Sequence, residues 1–102
     1  MVSDPQQEYA DFLEQNPACY TISQSKIFMF VIKTIINSPK SFSELMEGVK
    51  PITEEDMRLI LTALKSAKII SKPLASQAEI YCITPLGRKF MEKFQKTQDS
   101  FE

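Results

Sequence analysis

The segment that most constrains the fold is residues 53–84, where the hydrophobic periodicity changes from helical to extended. Thr53, followed three residues later by Asp56, is a start similar to a capping box, and the acidic residues there suit the positive end of a helix dipole. The apolar residues at helical spacing are Met57, Leu61 and Leu64. After Ala67 the residues become β-branched with a period near two, as in strands. The segment therefore predicts a helix over 53–67 followed by a short β-hairpin.

The hairpin has recognisable strands, a tip and an exit. Pro73 cannot donate a ladder hydrogen bond, which predicts an edge strand there, and residues 75–78 form the tip. On the returning strand we expect Tyr81 and Ile83 to face the core. Thr84-Pro85 is a helix cap followed by proline at the first helical position. The inward row of this last helix is Leu86, Phe90 and Phe94, and we expect fraying from Gln95 onwards.

A second capping box, at residues 41–44, predicts a short helix to about Glu47, with Gly48 ending it. With the turn that follows and helix 53–67, it makes a helix-turn-helix arrangement. Before it, a strongly apolar helix starts at Ser23 or Ser25 and ends near Asn37. A helix that is apolar nearly all round is buried nearly all round, so a partner is expected to cover part of it. The residues off its main core face are Met29, Phe30 and Ile36.

An amphipathic helix is predicted at the N-terminus, capped by Ser3, with Pro5 in its first turn and Asn16-Pro17 ending it. Its apolar stripe consists of Tyr9, Phe12 and Leu13. Residues 17–22 are predicted to be an extended linker. The expected organisation is an N-terminal helix and linker over 1–22, a winged-helix domain over 23–97 and a frayed tail over 98–102.

The order of residues from Leu64 through Lys68-Ile69-Ile70 to Tyr81-Cys82-Ile83-Thr84-Pro85-Leu86-Gly87-Arg88 resembles winged-helix regulators of the MarR and PadR kind. In those proteins a recognition helix leads into a wing, and a Tyr-x-Leu-Thr-x-x-Gly-Arg stretch leads into the last helix. Lys68 stands where they usually have glycine. The resemblance covers residues 23–95. It implies a mainly α fold with a small β-hairpin, a winged helix-turn-helix with an extra N-terminal helix, and a DNA-binding transcriptional regulator.

Composition argues against several classes of function. The chain has 102 residues, one domain's worth, and its longest apolar run, 27–32, is too short to span a bilayer. No secretory signal is present, which predicts a cytoplasmic protein, or a nuclear one in a eukaryote. With no histidine and only Cys19 and Cys82, neither a metal site nor catalysis is indicated, and no cofactor is expected. We expect a non-enzymatic protein with free thiols.

Charge is distributed unevenly along the chain. Residues 1–20 carry four acidic and no basic side chains, whereas residues 65–96 carry seven basic and two acidic ones. A basic C-terminal half suits contacts with phosphate. On the outward face of helix 53–67, Arg58 is the one side chain of the type that reads base edges in the major groove. The candidate DNA-binding residues are Ser41, Thr53, Arg58, Thr62, Lys65, Ser66, Lys72, Gln77, Arg88 and Lys89.

Two questions about partners stay open at this point. Leu59 on the outward helix face could meet a thymine methyl group, pack beneath the N-terminal helix or mark a protein-binding surface. The last alternative is open because winged helices in cullins, membrane-sorting complexes and RNA polymerase III subunits bind proteins. The excess of apolar surface also favours a homodimer. The candidate interface residues are Tyr9, Phe12, Leu13, Phe30, Phe90, Met91 and Phe94. The alternative is a monomer whose N-terminal helix folds back over its own domain.

Overall fold

The computed structural model describes residues 4–73 and 79–99, which hold six helices and three short strands. In chain order these are α1 (Pro5–Gln15), α2 (Pro17–Ser23), α3 (Lys26–Ile36), β1 (Lys40–Ser41), α4 (Phe42–Gly48), α5 (Glu54–Ser66), β2 (Ile70–Ser71), β3 (Ile80–Ile83) and α6 (Pro85–Asp99). Helices α4 and α5 form the helix-turn-helix, and β2 and β3 form the sides of the wing. The predicted mainly α winged helix-turn-helix with an added N-terminal helix is confirmed.

Local hydrogen bonds start the helices as the sequence predicts. Ser41 and Glu44 make the reciprocal capping box of α4, and Thr53 Oγ1 accepts a hydrogen bond from Asp56 N at 3.1 Å at the start of α5. Ser25 caps α3. At the first helix, Asp4 is the cap, its Oδ1 accepting from the backbone N–H two residues on, while the predicted cap Ser3 lies outside the described residues.

The predicted linker over residues 17–22 is wrong, because this segment is the helix α2. Pro17 ends α1, and it also occupies the first position of the next helix, where a missing N–H costs nothing and the fixed φ angle suits the helix. Cys19 and Ile22 on α2 are buried. The helix packs against α3, and Met29, predicted to lie off the core face, is buried as well.

The sheet has three strands, in the order β1-β3-β2, both pairs antiparallel. The register pairs Lys40 with Tyr81 and Ile70 with Ile83. Strand β1 is a two-residue strand ahead of α4, too short to leave a periodic pattern, so the sequence predicts only the hairpin. The predicted wing tip at residues 75–78 lies outside the described residues.

Hydrogen bonds at Thr84 join the end of the helix-turn-helix to α6. The Thr84 hydroxyl donates to the Lys68 carbonyl at 2.5 Å and accepts from Gly87 N at 3.0 Å, and Thr84 N donates to the Ile69 carbonyl at 3.0 Å. Lys68 stands where the winged-helix regulators that the sequence resembles usually have glycine. Its φ of 64° is in the left-handed region, which glycine adopts most readily. We call Lys68, Ile69, Thr84 and Gly87 together the Thr84 junction.

Gly87 is required at the Thr84 junction by a close approach of two backbones. A Cβ atom built there would collide with the carbonyl group of Ile69, whose carbon would lie 3.1 Å away, and with Ile83 Cγ1 at 3.0 Å. The first turn of α6 therefore rests directly on the chain that enters β2, which only a residue without a side chain permits.

The aromatic side chains of α1 pack back onto α6. Phe12 stacks on Phe90 with ring centroids 6.1 Å apart, and Tyr9 contacts both Phe90 and Phe94 at 6.4 and 6.1 Å. Helix α6 continues to Asp99, so the expected fraying from Gln95 is wrong over the described part of the tail. Within residues 4–73 and 79–99, no helix combines the length and apolarity that crossing a bilayer requires.

We expect Gly87→Ala to lower the free energy of unfolding by about 1–3 kcal/mol, as overpacking does, despite the better helix propensity of alanine. The matched control is Gly48→Ala, because a Cβ there meets only Thr34 Cγ2 at an ordinary 3.6 Å. Urea titration of both variants measures the change. Equal stabilities for the two alanine variants would contradict the close approach.

Candidate nucleic-acid interface

The outward face of α5 is the surface on which a groove-reading function depends. Glu55, Thr62 and Ser66 are exposed there, and Leu59 is 63% exposed. A shallow cavity of about 390 Å³ lies along this face, lined by Glu54, Glu55, Arg58, Leu59 and Thr62. The solvent-facing side of α5 is thus a mixture of acidic, basic and apolar groups.

Arg58 is held by three side chains from different parts of the chain. Its Nη1 donates to Glu79 Oε2 at 3.1 Å, and its Nη2 donates to Glu54 Oε1 at 3.3 Å. The guanidinium carbon also lies 4.2 Å from the ring centroid of Phe42, a cation–π contact. Arg58 therefore joins α5 to the start of α4 and to the base of the wing.

The electrostatics of this cluster favour the charged forms of Arg58 and Glu79. Desolvation lowers the pKa of Arg58, but the hydrogen bond to Glu54 and the charge of Glu79 outweigh it and raise that pKa. Desolvation raises the pKa of Glu79, but the Tyr81 hydroxyl and Arg58 together lower it. Burial, followed by the hydrogen bond to Glu79, raises the pKa of Tyr81 to about 12. The Tyr81 hydroxyl therefore stays a hydrogen-bond donor.

Glu79 and Phe42 were not singled out from the sequence. The bond between Arg58 and Glu79 joins residues 21 positions apart, which no local pattern reports. One signal did exist, because Glu79 and Tyr81 are two positions apart and so lie on the same side of an extended strand.

The other candidate residues near α4 and α5 are helix caps or exposed side chains. The hydroxyl groups of Ser41 and Thr53 cap the starts of α4 and α5. Lys65 and Ser66 are exposed in the last turn of α5. Contact of these residues with DNA stays a prediction.

The candidates from the wing and α6 differ in their surroundings. Lys72 is exposed at the end of β2, and its charge acts on Glu79. Arg88 is exposed in the first turn of α6. Lys89 lines a separate groove of about 250 Å³ with the acidic side of α1, which includes Glu8 and Asp11. Gln77 lies outside the described residues.

Most of the candidate interface residues pack within their own chain. Phe12, Phe90 and Met91 are buried, and Tyr9, Leu13 and Phe94 are partly buried against the same core. Phe30 differs, because it is 50% exposed. It lines a groove of about 230 Å³ between α3 and α6, with Lys26 and Lys33 beside it.

A second apolar groove of about 390 Å³ lies on the flank of α5 opposite Arg58. Its lining residues are Ile27, Pro51, Ile52, Asp56, Leu59 and Ile60. Leu59 lines both this groove and the cavity on the outward face, so it lies at the border between the two surfaces.

The two cysteines are free thiols in the structure. Cys19 is buried, and burial raises the pKa of its thiol to about 11. Cys82 on β3 lies with its Sγ 3.4 Å from Ser71 Oγ on β2. Among residues 4–73 and 79–99, no group of three His, Cys, Asp or Glu side chains is placed to hold a metal ion.

No protein-family model matches this chain, and no curated protein matches it either. Solved structures do match its fold. The quinone-bound YodB of B. subtilis is 20% identical, with a TM-score of 0.71 over 84% of this chain and 93% of that one. A putative MarR-family transcriptional regulator of Enterococcus faecalis is 16% identical, with a TM-score of 0.70 over 97% and 86%. Rv0081 of M. tuberculosis is 14% identical, with a TM-score of 0.72 over 98% and 94%. The chain therefore has a winged-helix fold of the kind found in MarR-family regulators.

Proposed function

We propose that this protein is a non-enzymatic, DNA-binding transcriptional regulator that acts as a homodimer. The observation that carries the proposal is the outward face of α5, which presents Arg58 and Thr62 beside the base of the wing in the fold described above. A helix of this kind fits the major groove, and Arg is the commonest side chain that reads guanine there.

The charges on α5 predict modest non-specific binding. Glu54, Glu55 and Asp56 in its first turn repel phosphate, and two of the three ion pairs of the described residues already engage Arg58. Phosphate contacts must then come from basic groups farther along, of which Lys65 and Lys72 are exposed. The preference for one DNA sequence should depend strongly on Arg58 and on an apolar contact between Leu59 and a thymine methyl group.

We expect the double variant Lys65→Ala/Lys72→Ala to reduce the slope of log affinity against log salt by about 1.8 on duplex DNA, because each lost phosphate contact contributes about 0.9. The matched control is Lys96→Ala, which removes an exposed charge at the far end of α6. Fluorescence anisotropy across a salt series measures both slopes. A parent protein with no salt-dependent affinity for DNA would contradict the regulator and favour a protein-interaction module acting through the Leu59 face.

Dimerisation is supported by the exposed Phe30 in its groove between α3 and α6. Lysines flank this groove, while α1 carries Glu8, Asp11 and Glu14, so a second copy can offer the opposite charge. A twofold dimer also spaces two recognition helices for two half-sites about one DNA turn apart. Because the other aromatic candidates pack within the chain, Phe30 is the best single position at which to test the interface.

We expect the parent to be a dimer by light scattering at tens of micromolar and Phe30→Asp to be a monomer, because the variant loses an apolar ring and would have to bury a carboxylate at the interface. Leu59→Asp is the matched control, since Leu59 is also an exposed apolar residue but lies on α5. It should leave the dimer intact. A monomeric parent, or a Phe30→Asp variant that stays a dimer, would contradict this interface.

A further inference from the structure

We infer that Glu79 is a positioning residue that orients the Arg58 guanidinium for base recognition, and so helps determine which DNA sequence this protein prefers. The inference rests on the proposed function and adds a residue from the wing to the reading of the major groove. Three features support this role: the anchoring of Glu79, the contacts that hold Arg58, and the guanidinium N–H groups that the described hydrogen bonds leave unused.

Glu79 is anchored on both its main chain and its side chain. Its carbonyl accepts a hydrogen bond from Phe42 N at 2.9 Å, next to the β1–β3 pairing. Its Oε2 accepts from the hydroxyl of Tyr81 at 3.0 Å, and the Tyr81 side chain is buried. A carboxylate tied in this way to the core has little freedom to follow Arg58, so Arg58 must instead adapt to it.

Glu79 constrains Arg58 more than Glu54 does. Glu54 is four positions away on the same helix and its side chain is 66% exposed, an arrangement that contributes little. The Glu79 side chain is 31% exposed and belongs to the segment that leads into β3. The guanidinium carbon also lies over the ring of Phe42, 4.2 Å from its centroid, which limits its movement on that side. Glu79 and Phe42 together restrict the position of the group.

The guanidinium keeps enough donors to read a base. It has five N–H groups, and the described hydrogen bonds use Nε and one N–H on each of Nη1 and Nη2. One N–H on each Nη remains. Guanine presents two acceptors, O6 and N7, in the major groove, and a bidentate arginine needs two donors to meet them. The number of remaining donors matches that requirement.

Fixing Arg58 in advance has opposite effects on two measurable quantities. An arginine that is already ordered loses less side-chain entropy on binding its base, which favours the correct sequence. The negative charge of Glu79 simultaneously weakens attraction to any phosphate backbone. Removing that charge while keeping the shape of the side chain should therefore lower sequence preference and raise non-specific affinity.

The test begins by selecting preferred sequences from a pool of DNA duplexes with a randomised central segment, using the full-length parent. The ratio of affinities for the selected duplex and a scrambled one is then measured for Glu79→Gln, at fixed salt. We expect this ratio to fall about tenfold, with the loss confined to one guanine position in each half-site, while affinity for the scrambled duplex rises. The matched control is Glu47→Gln, which removes the same charge from the Glu47–Lys50 ion pair at the end of α4 and should leave the ratio unchanged.

A double-variant cycle separates positioning from mere structural support. In the Arg58→Ala background, Glu79→Gln should change the ratio no further, because its effect passes through Arg58. An unchanged ratio for Glu79→Gln in a parent that does select a sequence would overturn this inference alone. So would an equal loss in both backgrounds, the result expected if Glu79 only supported the fold. A parent that selects no sequence would overturn the proposed function and this inference with it.

Discussion

The contact on which the rest of the structure depends is the approach of Gly87 to the Ile69 carbonyl at the Thr84 junction. The Thr84 hydroxyl caps α6 and at the same time ties down the left-handed turn at Lys68, where α5 passes into β2. Thr84 therefore fixes the wing and α6 relative to α5. Because the approach of Gly87 to Ile69 is made by backbone groups, it allows almost no variation in the angle between α6 and the chain that enters β2.

The aromatic face of α6 determines where α1 packs. Phe90 is fully buried between the rings of α1 and the rest of the core. Helix α2 packs on a side of α3 for which the sequence alone indicates no intramolecular partner. The first two helices thus belong to the same core as the winged helix. Of the proposed interface residues, Phe30 in its groove between α3 and α6 is the one left exposed for a second copy of the chain.

The proposed DNA-binding surface on α5 carries both acidic and basic groups. Its central arginine lies between two carboxylates and above an aromatic ring, which limits its attraction to phosphate and restricts its orientation. In the proposed function, such an arrangement favours selectivity over strength of DNA binding. It would also make the base of the wing part of the proposed recognition surface, because Glu79 leads into β3 and Arg58 lies on α5.

The sequence by itself determined the caps of α3, α4 and α5, the helix-turn-helix, the wing strands and the Thr84-Pro85 entry into α6, since caps and periodic patterns act within a few residues. It also located the exposed face of α5. Tertiary structure alone decided that residues 17–22 are helical, that β1 adds a third strand, and that the α1 aromatics pack on their own chain. It also decided the partners of Arg58. The physical reason is distance along the chain: Arg58 and Glu79, like Phe12 and Phe90, meet only because the fold brings remote segments together.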